Sequence, residues 1–120
     1  MPERTDAVLL RIFIGEEDEY EGRPLYEALV GMAHRHRLAG ATVVRGPGGF
    51  GRSKYLRTEL NVDAGSKLPM VVEIVDDGDK IDSFLPLIEG VVESGLVTVE
   101  AVRAIFYRRE PVATPTRLFQ

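Results

Sequence analysis

The chain has 120 residues, a formal net charge of −4 at pH 7 and an apolar fraction of 44%. This length suits one domain with its own hydrophobic core, and this composition is not that of a disordered chain. The absence of cysteine excludes disulfides, thiolate metal sites and thiol catalysis. The acidic balance argues against nucleic acid as a partner, because phosphate contacts need a surplus of lysine and arginine. Residues 1–6 are polar and do not look like a signal peptide, so we expect a cytoplasmic protein.

The first half of the chain predicts a strand, a loop, a helix and a second strand. Residues 7–14 are mostly apolar and predict a largely buried strand. The acidic segment 16–22 predicts a solvated loop, with a divalent-metal site as the weaker alternative. Apolar residues recur at helical spacing over 25–36, and Gly40 is the predicted left-handed cap of that helix. Residues 41–45 predict the second strand.

The second half of the chain predicts a strand, a helix and a final strand. Residues 69–75 are apolar and β-branched, and they predict the third strand. Apolar residues at 81–92 follow the spacing of a helix that should end at Gly95. Residues 96–107 predict the last strand. The carboxylates that precede the second helix, Asp76, Asp77 and Asp79, are interpreted as N-capping groups and not as an acid/base site.

The element order βαββαβ predicts an α+β, ferredoxin-like sandwich, with a four-stranded antiparallel sheet and both helices on one face. The opposite face of the sheet would then be uncovered although its strands are apolar, which implies a partner. The simplest partner is another copy of the same chain. We expect one domain over residues 1–110, with a long loop at 46–68, and a C-terminal tail at 111–120.

The long loop is the most informative segment of the sequence. It opens with the run Gly46-Pro47-Gly48-Gly49-Phe50-Gly51-Arg52-Ser53. Glycines let the backbone approach a ligand closely, and successive N–H groups can form a nest for an anion. Arg52 adds a planar fork of donors suited to phosphate. The run is neither a Walker A sequence nor a dinucleotide fingerprint, so on spacing alone a flexible hairpin connection is an equal alternative.

Two runs, ATVVRGPGGFGRSKYLRTEL at 41–60 and LPMVVEIVDD at 68–77, resemble the PII signal proteins, in which Gly-Phe-Gly-Arg leads into the long T-loop. Over residues 7–107 the chain resembles more closely a PII-like family, DUF190. That resemblance is carried by four segments: 22–28, 38–43, 45–51 and 68–76.

The resemblance implies a homotrimeric signal-transduction protein, not an enzyme, that binds a small ligand at clefts between subunits. It implies an adenine nucleotide as the ligand and a mobile T-loop that docks on a protein partner such as a membrane transporter. The implied ligand-binding residues are Thr42, Gly46, Gly48, Gly49, Phe50, Gly51, Arg52, Ser53 and Arg108. PII proteins also have a phosphate-binding turn with glycine and lysine before the last strand. Here residues 93–98 contain no basic residue, so a smaller nucleotide or another anion is equally compatible.

The remaining polar residues do not suggest catalysis. His34 and His36 are two apart on a helix and face different ways, so they cannot chelate one metal together. We expect His36 to be packed and His34 to be solvated. Two alternatives to a regulatory protein are a metal-binding trimer like the CutA proteins and a small ferredoxin-like enzyme. The lack of cysteine and the separated histidines weaken the first, and the lack of a positioned base weakens the second.

Overall fold

The computed structural model describes residues 3–50, 57–58 and 68–107. Its elements in chain order are β1 (Glu3–Gly15), β2 (Glu19–Tyr20), β3 (Arg23–Pro24), α1 (Leu25–Arg35), β4 (Thr42–Arg45), β5 (Gly48–Gly49), β6 (Arg57–Thr58), β7 (Pro69–Asp76), α2 (Gly78–Glu89) and β8 (Leu96–Phe106). The predicted domain limits stay a prediction, since residues 108–120 lie outside this range.

The main sheet has the strand order β4-β7-β1-β8, and each neighbouring pair is antiparallel. The long strands β1 and β8 pair from Glu3 with Phe106 at one end to Phe13 with Leu96 at the other. Two-residue strands form the separate β2–β3 and β5–β6 hairpins. The predicted α+β, ferredoxin-like fold with a four-stranded antiparallel sheet and two helices is confirmed.

The core lies between the helices and one face of the sheet. Side chains alternate between the two faces of a strand, so Leu10, Ile12 and Ile14 of β1 point to the same side. They are buried together with alternate residues of β7 and with the inner faces of α1 and α2. Phe84 of α2 is fully buried in this cluster. Burial of each large apolar side chain contributes about 1.5–3 kcal/mol to folding.

The opposite face of the sheet, here called the open face, is apolar around a charged centre. Its residues include Leu9, Arg11, Phe13, Thr42, Val44, Val71, Glu73, Leu96 and Glu100. Arg11 Nε donates to Glu73 Oε2 at 2.9 Å, and Arg11 Nη1 lies 3.5 Å from Glu100 Oε1. Val44 is 46% exposed and Leu96 is 57% exposed. This part of the fold therefore presents apolar side chains to solvent, as the sequence predicts.

Helix α1 ends earlier than predicted, at Arg35 and not near Gly40. The residue in the left-handed region is Arg37, with φ 63°. The Arg37 N–H donates to His34 O, and the Leu38 N–H donates to Ala33 O, which is the hydrogen-bond pattern of a Schellman motif. Leu38 is buried in the core. The helix ends where it does because Leu38 is buried in the core. Arg37 therefore adopts the left-handed conformation although it is not a glycine.

The carboxylate of Asp76 does not cap α2, which corrects the sequence interpretation. Asp76 is 7% exposed, and its Oδ2 accepts a hydrogen bond from the Ala39 N–H at 2.8 Å. Its Oδ1 accepts from the Asp77 N–H at 2.7 Å. Asp77 is the N-cap residue but makes no capping hydrogen bond with its side chain. Asp76 therefore ties the α1–β4 connection to the end of β7.

The predicted loop at 16–22 is partly regular, because it contains β2 and the turn of the β2–β3 hairpin. Glu21 and Gly22 form its turn, with φ 52° and 79°. Asp18 Oδ2 accepts a hydrogen bond from the Gly15 N–H at 2.9 Å. Helix α2 is also shorter than predicted, since it ends at Glu89 and Gly90 follows as its C-cap.

Candidate functional site

The base of loop 46–68 is held by a small hydrogen-bond network at one end of the main sheet. The Gly46 N–H donates to Pro69 O at 2.8 Å, and the Glu16 N–H donates to Leu68 O at 2.9 Å. The Glu16 carboxylate accepts from the Leu68 N–H at 3.2 Å and forms an ion pair with Arg45. The two stems of the loop are thus joined to each other and to the end of β1.

The glycine segment, residues 46–50, follows the first stem. Gly48 and Gly49 form β5 and pair with Thr58 and Arg57. Gly49 has φ +146°, a conformation that side chains rarely adopt, so this position favours glycine. Phe50 comes next and is 68% exposed.

A cleft of about 340 Å³, here called the end cleft, lies beside the glycine segment. Its lining residues are Phe13, Ile14, Phe50, Pro69, Met70, Gly95 and Leu96. A Cβ atom at Gly95 would lie only 2.7 Å from the backbone oxygen of Phe13. Glycine at 95 therefore lets the turn before β8 come close to β1 at the edge of the cleft.

The structure brings only part of the predicted site to this cleft. Phe50 lines it, and Gly46, Gly48 and Gly49 lie in the segment that leads to it. Thr42 lies three residues before Arg45, on the open face opposite Glu73. The other predicted residues, Gly51, Arg52, Ser53 and Arg108, lie outside the described residues.

Sequence reasoning named only Phe50 among the described residues that line the cleft, and the most exposed of those it missed are Phe13 and Leu96. They are distant in the chain and become neighbours through the β1–β8 register. The signal that could have found them is Gly95, a glycine directly before the last strand, because a glycine there indicates close backbone approach.

The titratable residues in the described part of the chain do not gather at the end cleft, and the described residues that line it are all uncharged. No group of three or more His, Asp or Glu in that part is placed to hold a metal ion.

His36 Nε2 lies 3.1 Å from Ser83 Oγ, and its ring centroid lies 5.7 Å from that of Phe84. His36 is thus packed and His34 exposed, as predicted. Of the helices described, neither is long and apolar enough to cross a membrane.

Two curated proteins are similar in sequence to this chain over most of its length. It is 43% identical over 98 residues to a UPF0166 protein of Aquifex aeolicus, and the match covers 82% of this chain and 92% of that protein. It is 30% identical over 94 residues to a UPF0166 protein of Methanocaldococcus jannaschii, with coverage of 78% and 86%.

Solved structures with the same fold are much more distant in sequence. A Thermus thermophilus protein described as PII-like superposes with a TM-score of 0.59 at 15% identity, covering 87% of this chain and 92% of that chain. CPII of Thiomonas intermedia, a nitrogen regulatory PII-like protein bound to ADP, AMP and bicarbonate, superposes with a TM-score of 0.53 at 17% identity, covering 92% and 100%. At these identities the likeness concerns the fold.

Residues 7–104 match the family DUF190, described as an uncharacterised ACR, over nearly all of the described core. This match agrees with the resemblance seen in the sequence and with the PII-like fold. The chain belongs to the DUF190 family.

Proposed function

We propose that this chain is a PII-like regulatory protein that carries out no catalysis and binds a small ligand, an adenine nucleotide, at clefts between the subunits of a homotrimer. Loop 46–68 transmits the signal by docking on a protein partner, such as a membrane transporter. The proposed ligand-binding residues are Thr42, Gly46, Gly48, Gly49, Phe50, Gly51, Arg52, Ser53 and, from a neighbouring subunit, Arg108, because β8 ends at Phe106 at the opposite end of the sheet from the end cleft. The end cleft beside the glycine segment is the observation that carries this proposal.

The composition of the end cleft supports a ligand with a planar apolar part. Phe13 and Phe50 contribute aromatic surface, and base–aromatic stacking is worth about 1–3 kcal/mol per base. The described residues of the lining include no cation, so the phosphates would find their donors elsewhere. Arg52, close by in the sequence, offers a charged fork, and backbone N–H groups that follow Pro47 can add donors, whereas the Gly46 N–H is already bonded to Pro69 O. That CPII is bound to ADP and AMP supports the same ligand class.

The open face supports self-assembly. It combines exposed apolar side chains, such as Val44 and Leu96, with the charged group around Arg11. A second and third copy covering these faces would remove the apolar surface from water. Such packing would also bring Thr42 of one subunit towards its neighbour.

The nucleotide proposal is tested by isothermal titration with AMP, ADP, ATP and cyclic adenine nucleotides. Arg52→Ala should weaken binding roughly ten- to hundredfold, because the loss of a hydrogen bond to a charged group costs about 1.5–3 kcal/mol. Arg35→Ala is the matched control, since Arg35 is exposed in the last turn of α1, at the opposite end of the sheet. Absence of binding at millimolar nucleotide would refute the ligand, and unchanged binding by Arg52→Ala would refute the assigned site.

The assembly proposal is tested by light scattering at micromolar concentration, where the mass should be about three times 13.3 kDa. Val44→Glu should lower it, because a carboxylate on the open face would be buried without a partner. Leu87→Glu is the control, since Leu87 on α2 is 44% exposed, nearly the same as Val44 at 46%. A monomeric wild type, or an equal effect of both variants, would contradict assembly through the open face.

A further inference from the structure

One carboxylate, that of Glu16, joins three segments that are far apart in the chain. The last residue pair of the β1–β7 ladder is Gly15 with Pro69. Beyond it, the Glu16 N–H donates to Leu68 O, and Glu16 Oε1 accepts from the Leu68 N–H. The side-chain oxygen thus receives the N–H of its partner and extends the ladder by one step. The second oxygen, Oε2, pairs with Arg45 Nη2 at the end of β4.

The position of these contacts matters more than their strength. The Arg45 side chain is 55% exposed and that of Glu16 is 21% exposed, so the ion pair alone contributes little to stability. However, Arg45 directly precedes the glycine segment, and Leu68 directly precedes Pro69, which lines the end cleft. The Gly46 N–H bond to Pro69 O lies between them. A carboxylate that holds both stems therefore sets their separation at the wall of the cleft.

We propose that Glu16 is a positioning residue of the ligand site, which holds the two stems of loop 46–68 at the separation that the end cleft requires. Glu16 acts through Arg45 and Leu68 and need not touch the ligand. The ligand part of this inference rests on the proposed function. The geometric part, that Glu16 shapes the end cleft, concerns the unliganded protein and is measured separately.

The experiment uses the full chain with Glu16→Ala, Glu16→Gln and Arg45→Gln, and with Glu19→Gln and Glu19→Ala as controls from the same acidic segment. Amide exchange of Leu68 should be about tenfold faster in Glu16→Ala, the lower range for losing a hydrogen bond to a charged group. Glu16→Gln retains an acceptor for Leu68, so it should lose mainly the contact with Arg45. Thermal unfolding verifies that each variant is folded.

The shape of the cleft is read from the methyl signal of Met70, which lines it, with Met32 of α1 as an internal reference. Glu16→Ala should shift the Met70 signal and leave Met32 unchanged. Affinity for the best-binding adenine nucleotide should fall about tenfold in Glu16→Ala and several-fold in Glu16→Gln. Arg45→Gln should match Glu16→Gln, and the double variant should lose no more than either one, as expected for two groups that act as a pair.

Three results would overturn the inference. The first is an equal rate of Leu68 amide exchange in Glu16→Ala and Glu19→Ala, which would mean that the Glu16 carboxylate does not hold the stem at Leu68. The second is a Met70 methyl signal that Glu16→Ala leaves unchanged. The third is faster amide exchange of Leu68 in Glu16→Ala together with the nucleotide affinity of the wild type. If the wild type binds no nucleotide, the proposed function fails on its own, and the Met70 signal still decides whether Glu16 positions the cleft.

Discussion

One methyl group added at Gly95 should destabilise the fold, because the space beside it is already occupied. A Cβ atom there would lie 2.7 Å from the backbone oxygen of Phe13 and 3.3 Å from side-chain carbons of Ile14 and Val92. The oxygen belongs to the paired β1 strand and cannot rotate away as a side chain could. Gly95→Ala therefore forces a movement of the turn or of the strand.

The expected size of this effect follows from two opposing terms. Overpacking of a filled site costs about 1–3 kcal/mol. Replacement of glycine by alanine also restricts the unfolded chain, which stabilises the folded state by about 0.4–1 kcal/mol. The net loss in the free energy of unfolding should be about 1–2 kcal/mol, or roughly 4–8 °C in Tm for a domain of this size.

Urea and thermal unfolding at one fixed protomer concentration measure this loss, since the stability of an oligomer depends on concentration. Gly90→Ala is the matched control from the same turn. Gly90 has φ −84°, and a Cβ atom there would meet nothing within 4 Å. That variant should be as stable as the wild type or slightly more stable. If Gly95→Ala were as stable as Gly90→Ala, the close approach at the end cleft would be wrong.

Three further substitutions test the core and the helix ends by urea unfolding. Asp76→Ala should cost about 2–3 kcal/mol, because two backbone N–H groups lose a charged acceptor, whereas Asp79→Ala at an exposed position should cost little. Phe84→Ala should cost about 3–5 kcal/mol and exposed Leu87→Ala much less, and equal costs would contradict the core assignment. Arg37→Gly should stabilise the protein by about 1 kcal/mol, since Arg37 is left-handed, and a loss of stability would contradict that conformation.

The fold could be predicted from the sequence because apolar periodicity reports which side chains face a common core. The ends of the elements could not be predicted as well, since they depend on tertiary contacts. Gly40 is the residue that local propensity selects to end α1, yet the burial of Leu38 places the left-handed residue at Arg37. Asp76 likewise looks like a helix cap, and only the approach of the Ala39 N–H reveals its role.

The candidate site could be predicted only where it is continuous in the chain. The glycine segment is visible because its glycines are neighbours in the sequence. The end cleft also needs Phe13 and Leu96, which become neighbours through the pairing of β1 with β8. The register of that pairing cannot be predicted from the sequence of either strand alone. The same holds for Glu16, whose partners Arg45 and Leu68 lie 29 and 52 residues away.

The pairing of Glu3 with Phe106 leaves the two outer ends of β1 and β8 side by side. Glu3 and Phe13 are ten positions apart, so the Glu3–Phe106 pair lies about 33 Å from the end cleft at the usual rise of a strand. A short peptide could join these ends directly, and the chain could be opened at the exposed turn of Glu21 and Gly22 instead. A circular permutant of this kind would preserve the ladders of the main sheet, and its joined ends would lie far from the end cleft of the same subunit.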